Sequence, residues 1–246
     1  LMLSIYVPTY NHEKYIVETL DSILMQKTEY KYEILVGEDC STDNTREVLK
    51  KYEKEHPGKV EVFYREHNMH KEEIRNSTDL RLRCKGKYII GIEGDDFWTD
   101  PLKIQKQIDF LENHPEYIAV AHNCMVVDKN SEQIDEVYQE CRDNEYTLEH
   151  FVSEIMPGQL ATLMYRNPNL NDDIDEELMY KSLIPGDRLI YFSLAVSGRI
   201  FCMQEIMSAY RHIKTEGSSF SANLKYNFLS SENWAEEICK YAEKIG

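Results

Sequence analysis

The sequence predicts an α/β fold, a three-layer α/β/α arrangement around a mostly parallel central sheet, and two observations carry that prediction. Apolar runs alternate with amphipathic segments through the first half of the chain, which is the pattern of βαβ units. The apolar runs are also continuous stretches of Ile, Val and Leu, as strands covered by helices on both faces require. "LSIYVP" is the first strand, followed by a helix with Ile16, Leu20, Ile23 and Leu24 on one face. "YEILVG" is the second, followed by a helix marked by Val48, Leu49 and Tyr52; "VEVFY" and "KYIIGI" are the next two strands. Pro101 opens a further helix, with Asp100 as its cap and Leu102, Ile104, Ile108 and Leu111 along one side. Beyond it "YIAVAHNCMVV", "LATLMY" and the run from "RIFCM" through "IMSAY" read as strands, and "DRLIYFSLAVSG" as a short helix ending on Gly198. The polar stretch 128–150 reads as an excursion or loop. Near the C-terminus Trp234, Ile238, Tyr241 and Ile245 share one face of a helix whose polar side is mostly Glu.

The formal net charge is -16, from 28 basic and 44 acidic residues. Without a basic excess to release counterions, nucleic acid is excluded as a partner. An anionic substrate would have to be met by a divalent cation or a local cluster of basic side chains. Cys40, Cys84, Cys124, Cys141, Cys202 and Cys239 are scattered with no CxxC pair, so neither a zinc site nor a disulfide framework is indicated, and reduced thiols in a cytoplasmic protein are expected. No run of about 18 apolar residues marks a transmembrane segment. "LMLSIYVP" reads as a strand and not a signal peptide, because it lacks a basic leader and a cleavage site.

In open α/β sheets ligands bind beyond the carboxyl ends of the strands. Three polar, acid-rich loops stand there: "PTYNHE" at 8–13, "GEDCSTDNT" at 37–45 and "EGDDFWTDP" at 93–101. Glu93, Asp95 and Asp96 repel one another unless a cation shares them or each is separately solvated, so the residues alone allow a metal site or an exposed turn. Ser41, Thr42 and Asp43 suit a helix N-cap, whereas Asp39 comes one residue too early to cap and needs another task. Glu13 suits a charge at a helix N-terminus, and Tyr10 suits packing at a strand end. Asp187, in "PGDRLIY", stands at a helix start, where capping is the simple reading. Arg211, His212 and Lys214 form a basic cluster in an acidic chain, and His122 reads as a satisfied core histidine.

Taken in order and spacing, "SIYVPTYNHEKYIVETLDSILMQ", "YEILVGEDCSTDNT" and "GKYIIGIEGDDFWTDPLKIQKQIDFL" resemble the nucleotide-binding half of family 2 glycosyltransferases, which have the Rossmann-like GT-A fold. The resemblance covers residues 3 to about 125 strongly and continues more weakly through "PGDRLIYFSLAVSGR" and "SAYRHIKTEGSS"; 128–155 and the tail after about 221 carry no motif of it. It implies a single GT-A domain over 1–221, with a nucleotide-sugar and metal half at 1–125 and an acceptor half at 126–221, followed by a helical tail at 222–246. The implied reaction is metal-dependent transfer of a sugar, with inversion, from a nucleoside diphosphate (UDP in many members) to the hydroxyl of a glycan or lipid-linked acceptor. "EGDD" stands where the family carries its D-x-D motif, so Asp95 and Asp96 are implied to hold Mn²⁺ or Mg²⁺ through hard carboxylate oxygens. Glu93 departs from the family's first Asp, and its longer side chain would reach the ribose, or the metal through water. Pro8, Thr9 and Tyr10 would wrap the nucleoside, with Tyr10 against the base and Asp39 accepting a hydrogen bond from it. Glu13, Gly94 and Asp95 would line the same site, and Arg211 and His212 would close over the diphosphate. Asp187 is implied to be the general base.

The same resemblance points to cell-surface polysaccharide or glycan biosynthesis at the inner face of the membrane; peripheral membrane association and a homo-oligomer both stay open. A sugar-1-phosphate nucleotidyltransferase would need a G-x-G-T-R loop where "PTYNHE" stands, and a dinucleotide-dependent oxidoreductase would need G-x-G-x-x-G. A processive polysaccharide synthase would show Q-x-x-R-W. A non-catalytic sugar-nucleotide-binding module is the remaining alternative, and Asp95, Asp96 and Asp187 weigh against it.

Overall fold

A computed structural model describes residues 1–72, 74–138, 140–170 and 186–213, with 236, 239 and 240. Its elements run β1 (Leu3–Thr9), α1 (Ile16–Leu24), β2 (Tyr32–Glu38), α2 (Thr45–Glu55), β3 (Glu61–Tyr64), α3 (Asn76–Arg83), β4 (Tyr88–Gly91), β5 (Phe97–Trp98), α4 (Lys103–Asn113), β6 (Tyr117–Val127), β7 (Glu145–Tyr146), α5 (Leu148–Val152), β8 (Met164–Arg166), α6 (Gly186–Ser197) and β9 (Arg199–Arg211). They build one nine-stranded sheet in the order β3-β2-β1-β4-β8-β6-β9-β5, with β7 on β9. The first half is wholly parallel: Ile5 lies opposite Ile34 of β2 and Ile90 of β4. The second half is mixed, because β8 runs antiparallel to both β4 and β6 while β6 and β9 run parallel.

Alternate residues of β1 face opposite layers, since successive side chains of a strand point to opposite faces. Leu3, Ile5 and Val7 join Ile16, Leu20 and Ile23 of α1, Leu49 and Tyr52 of α2, and Ile104, Ile108 and Leu111 of α4 in one core. Tyr6 joins Leu80 of α3 and Ile190, Tyr191 and Leu194 of α6 in the other. These are the two outer layers of the predicted sandwich. The first core is closed by helices carrying an apolar stripe, the arrangement that holds most helices of this length in place.

Several expectations change in detail. "LATLMY" was expected as one strand, but Leu160–Thr162 is a 3₁₀ turn and only Met164–Arg166 enters the sheet. The cause is Gln159, whose side-chain oxygen accepts the Ala161 N–H at 2.7 Å while its carbonyl accepts the Thr162 hydroxyl at 2.7 Å. α4 begins at Lys103, two residues beyond Pro101, and Asp100 accepts the Leu102 N–H at 2.8 Å. Within 128–150 the chain forms β7 and the start of α5, short elements with no periodic signal. The predicted tail at 222–246 lies outside the described residues, apart from Glu236, Cys239 and Lys240, which are helical. Lys214 of the basic cluster also lies outside them. Among the described residues no helix is long and apolar enough to cross a membrane.

His122 of β6 is fully buried, as a core histidine should be. Its Nδ1 meets the Asn123 carbonyl at 2.9 Å, and its Nε2 finds no partner among the described residues. Burial, with the nearby Lys103, therefore pushes its pKa well below the ordinary value. The unfolded chain binds a proton at this position below about pH 6.5 and the folded chain does not, so its contribution is present above that pH and lost below it. Relative to a His122→Gln variant, the native chain should lose about 1.4 kcal/mol of stability per pH unit below about 6.5. Urea unfolding of both proteins across that range checks it; parallel pH curves would rule it out.

Candidate active site

Three loops meet at the carboxyl ends of β1, β2 and β4, and backbone hydrogen bonds join them. Asp39 N–H donates to the Thr9 carbonyl at 3.0 Å and Gly94 N–H to the Pro8 carbonyl at 3.1 Å. The first two loops are also laced by side chains. Asn11, in the left-handed region at φ 58°, accepts the Thr42 N–H at 2.8 Å, and Asn11 N–H donates to the Ser41 hydroxyl at 3.0 Å. Asp43 accepts the Thr45 N–H at 2.9 Å from one residue before the cap; the N-cap of α2 is Asn44 and not Ser41, Thr42 or Asp43 as expected, and its side chain makes no capping hydrogen bond. Glu13 accepts both the backbone and side-chain N–H groups of Asn44, at 2.9 and 2.8 Å, and so sits as a charge at the start of α2.

Asp39 is buried beneath this lacing, and its Oδ1 accepts the Met69 N–H at 2.8 Å. Burial raises its pKa, and the Met69 bond opposes the rise. Pro8 and Thr9 end β1 beside it, and Tyr10 follows where the chain bends away. Gly94 fits against that bend only because it lacks a side chain: a Cβ there would stand 2.5 Å from Thr9 Oγ1 and 2.8 Å from His12 Nδ1.

The crowded carboxylates separate into different environments. Asp95 keeps its side chain at the pocket surface, 13% exposed, with His12 Nε2 3.7 Å from its Oδ2. Asp96 is buried; its Oδ2 accepts Gln159 Nε2 at 2.7 Å and its Oδ1 accepts the Arg211 N–H at 2.8 Å. Desolvation, with the Asp95 charge, lifts its pKa well above the ordinary carboxylate value. The Glu93 carboxyl is pushed up to about 8 by burial and by the charges of Asp95 and Asp187. The loop thus carries less charge near neutral pH than its letters imply.

Asp187 comes to this cluster from the other half of the chain. It stands in the first turn of α6, with its Oδ1 accepting the Arg188 N–H at 2.8 Å. Burial raises its pKa, and its charge acts on Glu93, on the half-buried Tyr138 and on the buried Tyr191.

Arg211 is placed differently from its expected role over the diphosphate. Its guanidinium is fully buried under the acidic loop: Nε donates to the Asp95 carbonyl at 2.8 Å, one terminal nitrogen to the Asp128 carbonyl at 2.8 Å, and the other to Glu18 Oε2 at 2.6 Å and Ser131 Oγ at 3.0 Å. It also lies over the Tyr15 ring, 4.2 Å from the centroid. The charge anchors the loop from within the protein. His212 pairs with Glu136 at 2.7 Å and stacks near Tyr210. His12, Gln159 and Glu18 are site residues that the sequence reading did not single out; His12 entered it only as a letter of the polar loop "PTYNHE".

The chain matches the sequence profile described as glycosyl transferase family 2 over residues 4–174. It belongs to that family. An uncharacterized protein of Mycobacterium tuberculosis is 30% identical over 209 residues, 85% of this chain and 58% of the relative. This chain therefore spans little more than half the length of that relative. A putative teichuronic acid biosynthesis glycosyltransferase of Bacillus subtilis, TuaG, is 34% identical over 110 residues, 45% of this chain and 42% of its own. Among solved structures, Staphylococcus aureus TarS 1-349 in complex with UDP-GlcNAc superposes with a TM-score of 0.70 at 20% identity, covering 96% of this chain and 64% of that one. The mannosyltransferase PcManGT of Pyrobaculum calidifontis, in complex with GDP-Man and Mn²⁺, gives 0.58 at 16% identity, covering 85% and 56%. At these identities the likeness establishes the fold, which is GT-A.

The close approach at Gly94 generates a test. Gly94→Ala should displace the acidic loop and cost roughly 1–3 kcal/mol, the range for overpacking. Thr9→Ala in the same chain should recover part of that loss, because it removes Thr9 Oγ1, the nearest of the three atoms the new methyl meets, while leaving Thr9 Cβ and His12 Nδ1 in place. Thermal unfolding of the single and double variants decides; strict additivity would place the strain elsewhere.

Proposed function

We propose that this chain transfers a sugar, with inversion, from a nucleoside-diphosphate sugar, UDP-linked, to an acceptor hydroxyl in cell-surface polysaccharide assembly. The observation that carries the reading is the convergence of Asp187 with Glu93 and Asp95, groups from opposite halves of the chain that share one electrostatic environment at the end of the sheet. Family membership supports transfer. The printed roles of TuaG and of TarS, a poly(ribitol-phosphate) beta-N-acetylglucosaminyltransferase, support the polysaccharide class of acceptor, and the UDP-GlcNAc complex of TarS supports the donor. A cytoplasmic setting belongs to the same proposal.

In this reading Pro8, Thr9, Tyr10 and Asp39 hold the nucleoside. Asp39, kept in place by Met69, accepts from the base edge. The donor set fits a hard divalent cation, because Mg²⁺-class sites use one or two carboxylates and take their other ligands from phosphate and water. Asp95 would hold the ion, with Asp96 behind it, fixed by Gln159 and Arg211. Such an ion supplies Lewis-acid neutralisation of charge on the departing diphosphate. Asp187 takes the proton from the acceptor hydroxyl, and its raised pKa moves it toward the value at which a base works best near neutrality. Its place at the start of α6 gives it a fixed direction, and the buried Tyr191 and the half-buried Tyr138 stand near it.

Two measurements test the reading. Calorimetry with UDP should show binding that weakens at least about tenfold, or 1.4 kcal/mol, in excess EDTA; equal affinity with and without chelator would remove the metal from the site. Asp187→Asn should hold UDP affinity within a few-fold while hydrolysis of the bound sugar nucleotide slows by about 10²–10⁴, the usual worth of general-base assistance. An unchanged hydrolysis rate, beside an Asp95→Asn variant that is inactive, would take Asp187 out of the mechanism.

A further inference from the structure

On the side of the sheet where β7 pairs with β9, the chain between 140 and 150 brings together three residues of different chemistry. Cys141, Asp143 and His150 each present a ligand atom within 4.8 Å of the other two, the one such grouping among the described residues. We propose that these three side chains form a second cation site, of zinc class, that closes the 140–150 segment upon itself. Nothing in the sequence spacing announces it, since Cys141 has no CxxC partner and the neighbouring Cys202 lies far along the chain on β9.

The donor set selects the ion. A thiolate, an imidazole and a carboxylate suit zinc, whereas an all-oxygen site suits magnesium or manganese. With bonds of about 2.0–2.3 Å, ligand atoms of a tetrahedral zinc stand roughly 3.3–3.8 Å apart, so a separation within 4.8 Å needs only a small closing movement. Thiolate and carboxylate together balance a divalent charge, and the fourth position is left to water. Asp143 is on the surface, with its side chain 75% exposed, and gives the ion a way in; Cys141 is fully buried.

The surroundings prepare each ligand. The Cys141 thiol donates toward the Asp143 carbonyl at 3.5 Å and the Glu145 carbonyl at 3.7 Å, contacts that hold the sulfur in place and are given up when it takes an ion. His150 is fixed at both nitrogens: Nε2 stands 2.9 Å from Asp143 Oδ2, and Nδ1 accepts the Thr147 N–H at 3.1 Å and lies 2.9 Å from Thr147 Oγ1. In the metal-free state the ring proton is therefore on Nε2. On binding, that proton moves to Nδ1 and is donated to Thr147 Oγ1, the Nε2 lone pair goes to the ion, and Cys141 gives its proton to solvent. One proton leaves per ion, and the Thr147 N–H contact is given up.

The segment so closed supports the active-site half. Cys141 N–H donates to the Met156 carbonyl at 2.7 Å, and Cys202 N–H to the Asn144 carbonyl at 2.9 Å. Next to His150, Phe151 meets Phe192 of α6 with ring centroids 5.5 Å apart. A cation here would brace the surface against which the Asp187 helix rests.

The test uses the full chain, kept reduced with a phosphine, stripped with chelator and exchanged, then titrated with Co²⁺ alone and with Zn²⁺ alone. One equivalent of Co²⁺ should bring up a thiolate-to-cobalt charge-transfer band, which Zn²⁺ abolishes by displacement. Cys141→Ser and His150→Ala should remove the band and weaken Zn²⁺ by more than the roughly 10–100-fold that loss of an outer-sphere partner costs. Asp95→Asn should leave the band intact, which separates this site from the carboxylate loop. Since Cys141 is buried and its variant could misfold, Asp143→Ala on the surface provides the second arm and should weaken Zn²⁺ at least about tenfold. Absence of the band in the reduced native chain, or Zn²⁺ affinity unchanged in Asp143→Ala, would overturn the proposal.

Discussion

Burial of Arg211 beneath the acidic loop is the constraint on which the rest of the site depends. Removing a guanidinium from water costs several kcal/mol unless its donors and its charge are all met. Here they are met by Glu18 of α1, by the Asp95 and Asp128 carbonyls and by Ser131, while the residue's own N–H reaches Asp96. One residue at the end of β9 thus ties together the acidic loop, the first helix and the turn after β6. A substitution that removed the charge would leave Glu18 and two carbonyls facing one another with nothing between them. The loop would lose its floor before any ligand was lost.

Gln159 performs the matching task from the other side. It lies in a 3₁₀ turn of the second half yet reaches Asp96 of the first, and its own side-chain oxygen is pinned by Ala161. Asp96 is thereby oriented by groups from two distant segments. Carboxylates that must act together at separations of a few ångströms gain from such support, because small errors in placement cost large factors in rate.

The first half of the chain was legible in the sequence because its signals are local. Continuous apolar strands, amphipathic helices and polar loops directly after the strands placed β1 to β4, α1, α2 and the three loops close to where they stand. The segments that escaped are those whose form is set by tertiary partners. α3 has little amphipathic patterning, β5 has two residues and is a strand only because Ala209 and Ser208 lie opposite, and the turn at Leu160–Thr162 is set by Gln159. At the site, residue types that advertise chemistry were found, whereas His12 and Gln159 were not, since each acts only through a neighbour that folding brings to it. Arg211 was found for the wrong reason: a basic residue beside a loop reads as a clamp on substrate, and burial cannot be seen in one dimension.

The place of β8 in the sheet has a consequence for how the molecule assembles. This three-residue strand is supplied by the second half but lies between β4 and β6, both from the first. Until it arrives, residues 88–90 of β4 and Ala119 and Val120 at the start of β6 present unpaired edges, the kind of surface that pairs with other chains. The contact joins residues far apart in the chain, so it is entropically expensive and forms late. The two halves are therefore interleaved and not modular: a nucleotide-binding fragment cut after β6 would carry an open seam through its centre. Swapping acceptor halves between relatives would have to carry β8 and its fit to β4 along with it.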